Sequence, residues 1–178
     1  VPVVCHFRSA RPLRQAELAL MRWIDALIVL SEVSRDICLR QGVPAGKLAV
    51  IPNGLDVQRL RNGVSREAAR TRLGLSRHQL VIGVVSRLVP GKGHLVFFQA
   101  MRSVVAQRPD VRVVIVGDVV EGDGGYLQEL RRSLRNLSLE DHVRFTGWHR
   151  DAVDLYSAFD VLAQTSLLPL GLITLICG

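Results

Sequence analysis

The residues best placed to do chemistry lie in one short segment, Ser86-Arg87-Leu88-Val89-Pro90-Gly91-Lys92-Gly93-His94. It leaves the apolar run Leu80 to Val85, turns through Pro90 and Gly91, and enters a stretch of helical period. A turn between a parallel strand and a helix points backbone N–H groups and a helix N-terminus at its ligand, a geometry that suits phosphate. Arg87 and Lys92 add two fixed cations five positions apart, which suits a diphosphate. The plainer alternative is that both are ordinary loop charges. A Walker A loop is excluded, because Ser86 stands where glycine is required and Gly93 where serine or threonine is.

Weaker candidates follow the next two strands. Gly117-Asp118 and Gly147 each close an apolar run, and with Arg87 and Lys92 they complete the expected nucleotide-binding set: Arg87, Lys92, Gly117 and Gly147. The loop after Gly117 does not read G-x-G-x-x-G, and no acid sits where a nicotinamide ribose needs one, so a dehydrogenase is unsupported. Glu121 and Asp123 have the acid-x-acid spacing used by metal-dependent sugar transferases of a different fold, but read more simply as solvated loop acids. Trp148 and His149 are placed to border a base pocket, although a tryptophan there reads more often as core or rim packing. His6 closes the apolar run Val1 to Cys5, at the carboxyl edge where sites in such sheets are built. His78, His94, His142 and His149 sit at element boundaries and read as structural. Neither a G-x-S-x-G elbow nor an H-E-x-x-H pair is present, which leaves hydrolase chemistry unsupported.

These positions are held by alternating strand and helix patterns, the signature of parallel strands with helical crossovers. Strands are expected at Leu80 to Val85, Val111 to Val116, Val143 to Phe145 and Val161 to Ala163. Between them, Phe97, Met101 and Val104 mark one helical face, Leu127, Leu130, Leu134 and Leu137 a second, and Ala152, Leu155, Tyr156 and Phe159 a third. The first part of the chain is a shorter version. Strands are expected at Val1 to Cys5, Ala26 to Leu30 and Leu48 to Ile51, with helices over Leu13 to Ile24 and Glu32 to Gln41. Pro52-Asn53-Gly54 then breaks the pattern, and a short helix, Arg66 to Leu73, follows a Ser65 cap and ends at Gly74. The pattern therefore sets a domain junction between about Pro52 and His78, with residues 1–52 and 79–178 as two Rossmann-like α/β parts and 53–78 as a linker that holds the short helix.

With 48% hydrophobic residues and a mean hydropathy of +0.24, the chain is not disordered. Its net charge of +7 comes from arginine, since Lys47 and Lys92 are the only lysines. The arginines are scattered: Arg8, Arg11 and Arg14; Arg59, Arg61, Arg66, Arg70 and Arg72; Arg131, Arg132 and Arg135. They read as solvated helix faces rather than a nucleic-acid stripe. Cys5, Cys38 and Cys177 are widely spaced and form no C-x-x-C, so neither a disulfide framework nor a zinc site is indicated, and a reducing compartment follows. The longest apolar stretch, Leu167 to Cys177, is interrupted by Pro169 and Gly171 and is shorter than the ~18 to 20 residues of a membrane span. Both ends fall inside apolar runs, and the chain reads as a fragment.

The ordered set PVVCHFR, ALIVLSEVSRD, KLAVIPNGLD, EAARTRLGL, VIGVVSRLVPGKGH, VRVVIVGD and VRFTGWHRDAVDLYSAFDVLAQTS resembles the retaining, nucleotide-sugar-dependent glycosyltransferases of the GT-B fold, group 1 or family 4. The resemblance implies the end of an acceptor lobe followed by the first part of a donor lobe. It implies Arg87 and Lys92 as the cations on the donor diphosphate and His6 as a catalytic residue at the donor sugar. It also implies a hexosyl transfer from a nucleotide-diphosphate sugar to a carbohydrate or lipid-linked acceptor, with no metal cofactor. The expected location is cytoplasmic, with room for peripheral attachment at the inner membrane face and no role for nucleic acid.

The sequence departs from the family pattern near its end. Two glutamates with seven residues between them are expected after the fourth donor-lobe strand, and Leu168 and Ile176 occupy the aligned positions. Each unsatisfied hydrogen bond to the ribose or sugar would cost on the order of 1 to 3 kcal/mol of binding, and the chain alone is expected to be inactive. Two rivals stand beside this reading. One is a non-catalytic module that uses Arg87 and Lys92 to bind an anion. The other is an Arg-rich RNA-binding domain, which lacks the exposed aromatics such domains use.

Overall fold

The structure is a computed structural model that describes residues 1–9, 11–54, 56–58, 63–119 and 124–167. Of the described residues, those up to Gly54 fall in one compact unit and those from Asp56 to Leu167 in another. Arg59, Arg61, Glu121, Asp123, Leu168, Ile176 and Cys177 lie outside the described residues. Among the described residues, no helix is long and apolar enough to cross a membrane.

The first unit is a parallel three-stranded sheet in the order β1-β2-β3, with β1 at Val4–Phe7, β2 at Ala26–Val29 and β3 at Leu48–Val50. Helix α1 is Gln15–Leu20 and runs on as a 3₁₀ turn, Met21–Trp23. It is shorter than the expected Leu13 to Ile24. Helix α2, Glu32–Arg40, starts at Ser31, whose side chain accepts from the Ser34 N–H as a cap should. Leu27 and Val29 of the central strand are buried with Leu13, Ile24, Cys38 and Val43. Strand β1 sits two to three residues later than its expected position, which moves His6 from the strand's end into its interior, opposite Ile28. His6 shares the exposed face with Val4, while Cys5 and Phe7 pack on the core.

The second unit is a parallel four-stranded sheet in the order β6-β5-β4-β7. Its strands are β4 at Leu80–Val85, β5 at Val111–Val116, β6 at Val143–Gly147 and β7 at Val161–Leu162. The near-continuous apolar run of β5 reflects burial on both faces. On one face Val113 and Ile115 meet Phe97, Phe98 and Met101 of helix α4, His94–Gln107, and Leu130 and Leu134 of helix α5, Gly124–Leu137. On the other, Val114 and Val116 meet Ala69 and Leu73 beside helix α3, Arg66–Arg72, and Leu155, Ala158 and Phe159 around a 3₁₀ segment, Ala152–Ala158. Val104, expected on the buried face of α4, is exposed. The stripe that packs is His94, Phe97, Phe98 and Met101, at i, i+3, i+4 and i+7.

Helix α3 packs within the second unit against the 152–158 segment. Its Arg70 corrects the expectation of a solvated helix face, being only 2% exposed. Arg70 donates to the carbonyls of Ala158, Ser76, Arg77 and Gln79 at 2.9–3.1 Å, and its remaining nitrogen meets Asp160 Oδ2 at 2.8 Å. That carboxylate oxygen also accepts the Val81 N–H at 2.7 Å, and Arg66 pairs with the other oxygen. Asp160 thereby ties α3 to the start of β4. Removing one partner of a buried charge pair leaves the other uncompensated. Asp160→Ala is expected to destabilise the second unit by about 3 kcal/mol, against less than about 1 kcal/mol for Arg66→Ala, whose side chain is half exposed. Urea denaturation followed by circular dichroism measures both, and equal losses would refute this division of labour.

Candidate functional site

The carboxyl ends of β4, β5 and β6 are joined beyond their last ladder residues. The Ser86 N–H donates to the Val116 carbonyl at 3.0 Å, and the Leu88 N–H donates to the Asp118 carbonyl at 2.9 Å. Leu88 itself is buried. Arg87 therefore projects from backbone pinned on either side, and its side chain is exposed. The chain then forms a tight 3₁₀ turn, Pro90–Lys92, closed by Lys92 N–H to Val89 and Gly93 N–H to Pro90, both at 3.0 Å. Pro90 occupies the first position, where a missing N–H costs nothing.

Two glycines make this arrangement possible. Gly93 has φ +70°, and a Cβ there would collide with the Thr165 carbonyl oxygen. Gly117 has φ +142°, and a Cβ there would collide with the Ser86 carbonyl oxygen. Thr165 Oγ1 donates to the Lys92 carbonyl at 3.1 Å and the Leu167 N–H to Gly91 at 3.0 Å, so residues 165–167 brace the turn that carries Lys92. The Gly117 N–H is spent on the Gly147 carbonyl at 2.8 Å. Gly117 thus supplies room for close approach rather than a donor for a ligand. The β5–β6 register slips by one residue at Val116, a bulge that sets Gly147 opposite the end of β5.

The structure brings Arg87 and Lys92 together electrostatically. Burial pushes the Lys92 ammonium below its usual range, and the charge of Arg87 pushes it further. Among the described residues neither cation has a carboxylate within ion-pair distance. Among the described residues these are two neighbouring cations without counter-charge, one half-buried, an arrangement that would suit an anion. Gly117 and Gly147 lie at the adjoining strand ends, while His6 belongs to the other unit. Trp148, expected as core or rim packing, is 70% exposed. Beside it, His149 Nε2 is buried without a hydrogen-bond partner among the described residues.

One residue read as a plain boundary histidine has a larger part. His94, the first residue of α4, is fully buried. Its Nε2 lies 3.0 Å from Ser86 Oγ and its Nδ1 lies 3.5 Å from the Tyr126 hydroxyl. Burial, reinforced by the Lys92 charge, lowers its pKa to about 4, and the positive end of α4 opposes protonation too. The sequence carried a usable signal, because His94 heads the same i, i+3, i+4, i+7 stripe as Phe97, Phe98 and Met101.

The family model for glycosyl transferases group 1 matches residues 65–172, and that for Glycosyltransferase Family 4 matches residues 1–59. The chain belongs to the group 1 glycosyl transferases, and its α/β units are Rossmann-like lobes of the GT-B fold. Among its relatives, the Escherichia coli UDP-Gal:alpha-D-GlcNAc-diphosphoundecaprenol alpha-1,3-galactosyltransferase is 28% identical over 94% of this chain and 46% of its own length. The D-inositol 3-phosphate glycosyltransferase of Saccharomonospora viridis is 34% identical over 80% of this chain and 34% of its own. Among solved structures, Anabaena HepE in complex with UDP-glucose is 30% identical, with a TM-score of 0.82 over 95% of this chain and 48% of that one. The chain spans about half, or less, of the length of these relatives.

The buried imidazole has a consequence for stability. Unfolded, His94 titrates near 6.5; folded, near 4. The unfolded chain binds the proton first, so stability present above pH 6.5 is lost as the pH falls toward 4. The loss from this residue is expected to reach up to about 3 kcal/mol. Denaturant unfolding at a series of pH values measures it, and His94→Gln is expected to show a correspondingly shallower decline. Parallel curves for the two proteins would refute the buried neutral ring.

Proposed function

We propose that the chain is the nucleotide-sugar-binding part, with the end of the acceptor lobe, of a transferase that moves a hexosyl group from a nucleotide-diphosphate sugar to a carbohydrate or lipid-linked acceptor with retained configuration. The observation that carries this reading is the pair of cations, Arg87 and Lys92, without a carboxylate partner among the described residues, on a braced turn at the carboxyl end of a parallel sheet. Breaking the sugar–phosphate bond leaves negative charge on the distal phosphate. Cations fixed beside that oxygen stabilise the transition state more than the ground state, and they do so without a metal. HepE was solved with UDP-glucose, and the Escherichia coli relative's name carries a UDP-sugar donor and a diphosphoundecaprenol acceptor, which supports the same class of donor and a lipid-linked acceptor here. A lipid-linked acceptor in turn supports work at the cytoplasmic membrane face. His6 is assigned to the donor sugar on the resemblance alone. Trp148, exposed beside a His149 nitrogen that has no partner among the described residues, is assigned to the nucleobase.

The test is binding of UDP, GDP and pyrophosphate, read by thermal protection and calorimetry, with EDTA present. Arg87→Ala is expected to weaken all three by about 1.5 to 3 kcal/mol, the worth of a hydrogen bond to a charged group. Trp148→Ala is expected to weaken the nucleotides by about 1 to 3 kcal/mol while leaving pyrophosphate unchanged. Equal affinity for orthophosphate or random RNA would overturn the reading in favour of a general anion-binding or RNA-binding module.

A further inference from the structure

The loop that carries both cations is closed on itself by side chains. Ser86 stands at the exit of β4 and His94 at the entry to α4, and their side chains meet at 3.0 Å. The other ring nitrogen reaches Tyr126, in the first turn of α5, with the two rings 6.0 Å apart and edge to face. None of these contacts belongs to a strand ladder or a helix. A leucine at position 94 would continue the apolar stripe of α4 without burying any polar atom. An imidazole there requires two partners, and both are present. Neutral imidazole offers one donor and one acceptor, while the two hydroxyls can each take either role, so every polar atom of the cluster can be satisfied.

We propose that His94 is a positioning residue for the cationic loop: by joining Ser86 to Tyr126 it locks both ends of the 86–94 loop to one frame and so fixes the spacing of Arg87 and Lys92. Arg87 follows Ser86 directly, and Lys92 precedes His94 by two residues, so each cation sits next to a member of the cluster. The backbone turn Pro90–Lys92 and the brace from Thr165 hold the middle of the loop, and the side-chain bridge holds its ends. A loop whose ends are free must be ordered when an anion binds, and that ordering weakens binding. What the cations bind rests on the diphosphate reading above; what His94 does rests on the geometry of the loop.

The experiment separates the two. Tyr126→Phe and Ser86→Ala each delete one hydroxyl with little change of volume, and His94→Gln keeps a donor and an acceptor. Amide hydrogen exchange without ligand is expected to speed up about fivefold or more at Lys92 and Gly93 in the two hydroxyl deletions, with Val113 and Val114 of β5 unchanged and His94→Gln nearer the wild type. Uniformly faster exchange, or none at the loop, would overturn the proposal by reducing His94 to a packing residue. With UDP as probe, the hydroxyl deletions are expected to bind about three- to tenfold more weakly. Lys92→Ala is expected to cost less in their background than in the wild type, because coupled residues are not additive. Additive losses would overturn the positioning role while leaving the diphosphate reading intact. If the wild-type chain binds neither UDP nor GDP, the diphosphate reading fails, and the exchange data still decide the role of His94.

Discussion

Two carbonyl oxygens occupy the places where side chains would otherwise begin. The Ser86 oxygen lies where a Cβ of residue 117 would be, and the Thr165 oxygen where a Cβ of residue 93 would be. Because glycine alone fits there, β4 and β5 can stay in register past their ends, and the segment after β7 can lie against the Pro90–Lys92 turn. The result is a rim of cross-linked backbone from which Arg87 projects and over which Lys92 is held half-buried. At the opposite end of β4, Asp160 gathers the Val81 N–H, Arg66 and Arg70, so the strand that carries the loop is fixed at both ends by different physics. Close packing of backbone sets the end that carries Arg87 and Lys92, and charge pairing sets the other.

Arg70 and Arg87 show why a count of arginines says little about function. The Arg70 guanidinium is spent on four carbonyls and one carboxylate, and its charge is invisible from outside. Arg87 is exposed, neighbours another cation and has no carboxylate among the described residues to pair with. Only three-dimensional partners distinguish them. A net charge of +7 therefore sums cations that hold the fold with cations that have no carboxylate partner among the described residues.

Most of the architecture was legible in the sequence because β4 and β5 are buried on both faces and so read as short apolar runs, whose length and β-branched content mark them as strands rather than buried helix. The 86–94 loop was legible for a related reason, since Pro90, Gly91 and Gly93 punctuate the passage from strand to helix. Less legible was whatever depends on partners distant in the chain. Arg70 owes its burial to carbonyls from residues 76–79 and to Asp160, ninety positions away. Trp148 is exposed because β6 is an edge strand and the chain leaves it at Gly147 with φ +76°. His6 was displaced because the apolar run containing Val1 and Val3 extends beyond the residues that pair with β2. Edge strands have one neighbour, so composition fixes their ends poorly.

The electrostatic state of the loop follows from what lies beneath it. A protonated His94 would put a third cation under Lys92, at the positive end of α4 and out of reach of solvent. Burial forbids that, and the ring stays neutral near neutral pH. Positive charge in the loop is thereby confined to Arg87 and Lys92, and His94 adds none to it near neutral pH. For the transfer reaction proposed, this matters at the leaving group. In that proposal the charge developing on the distal phosphate would meet a pair of cations carried on backbone whose position was set when the chain folded. Such preorganisation lets a site stabilise a transition state without reorganising during the reaction.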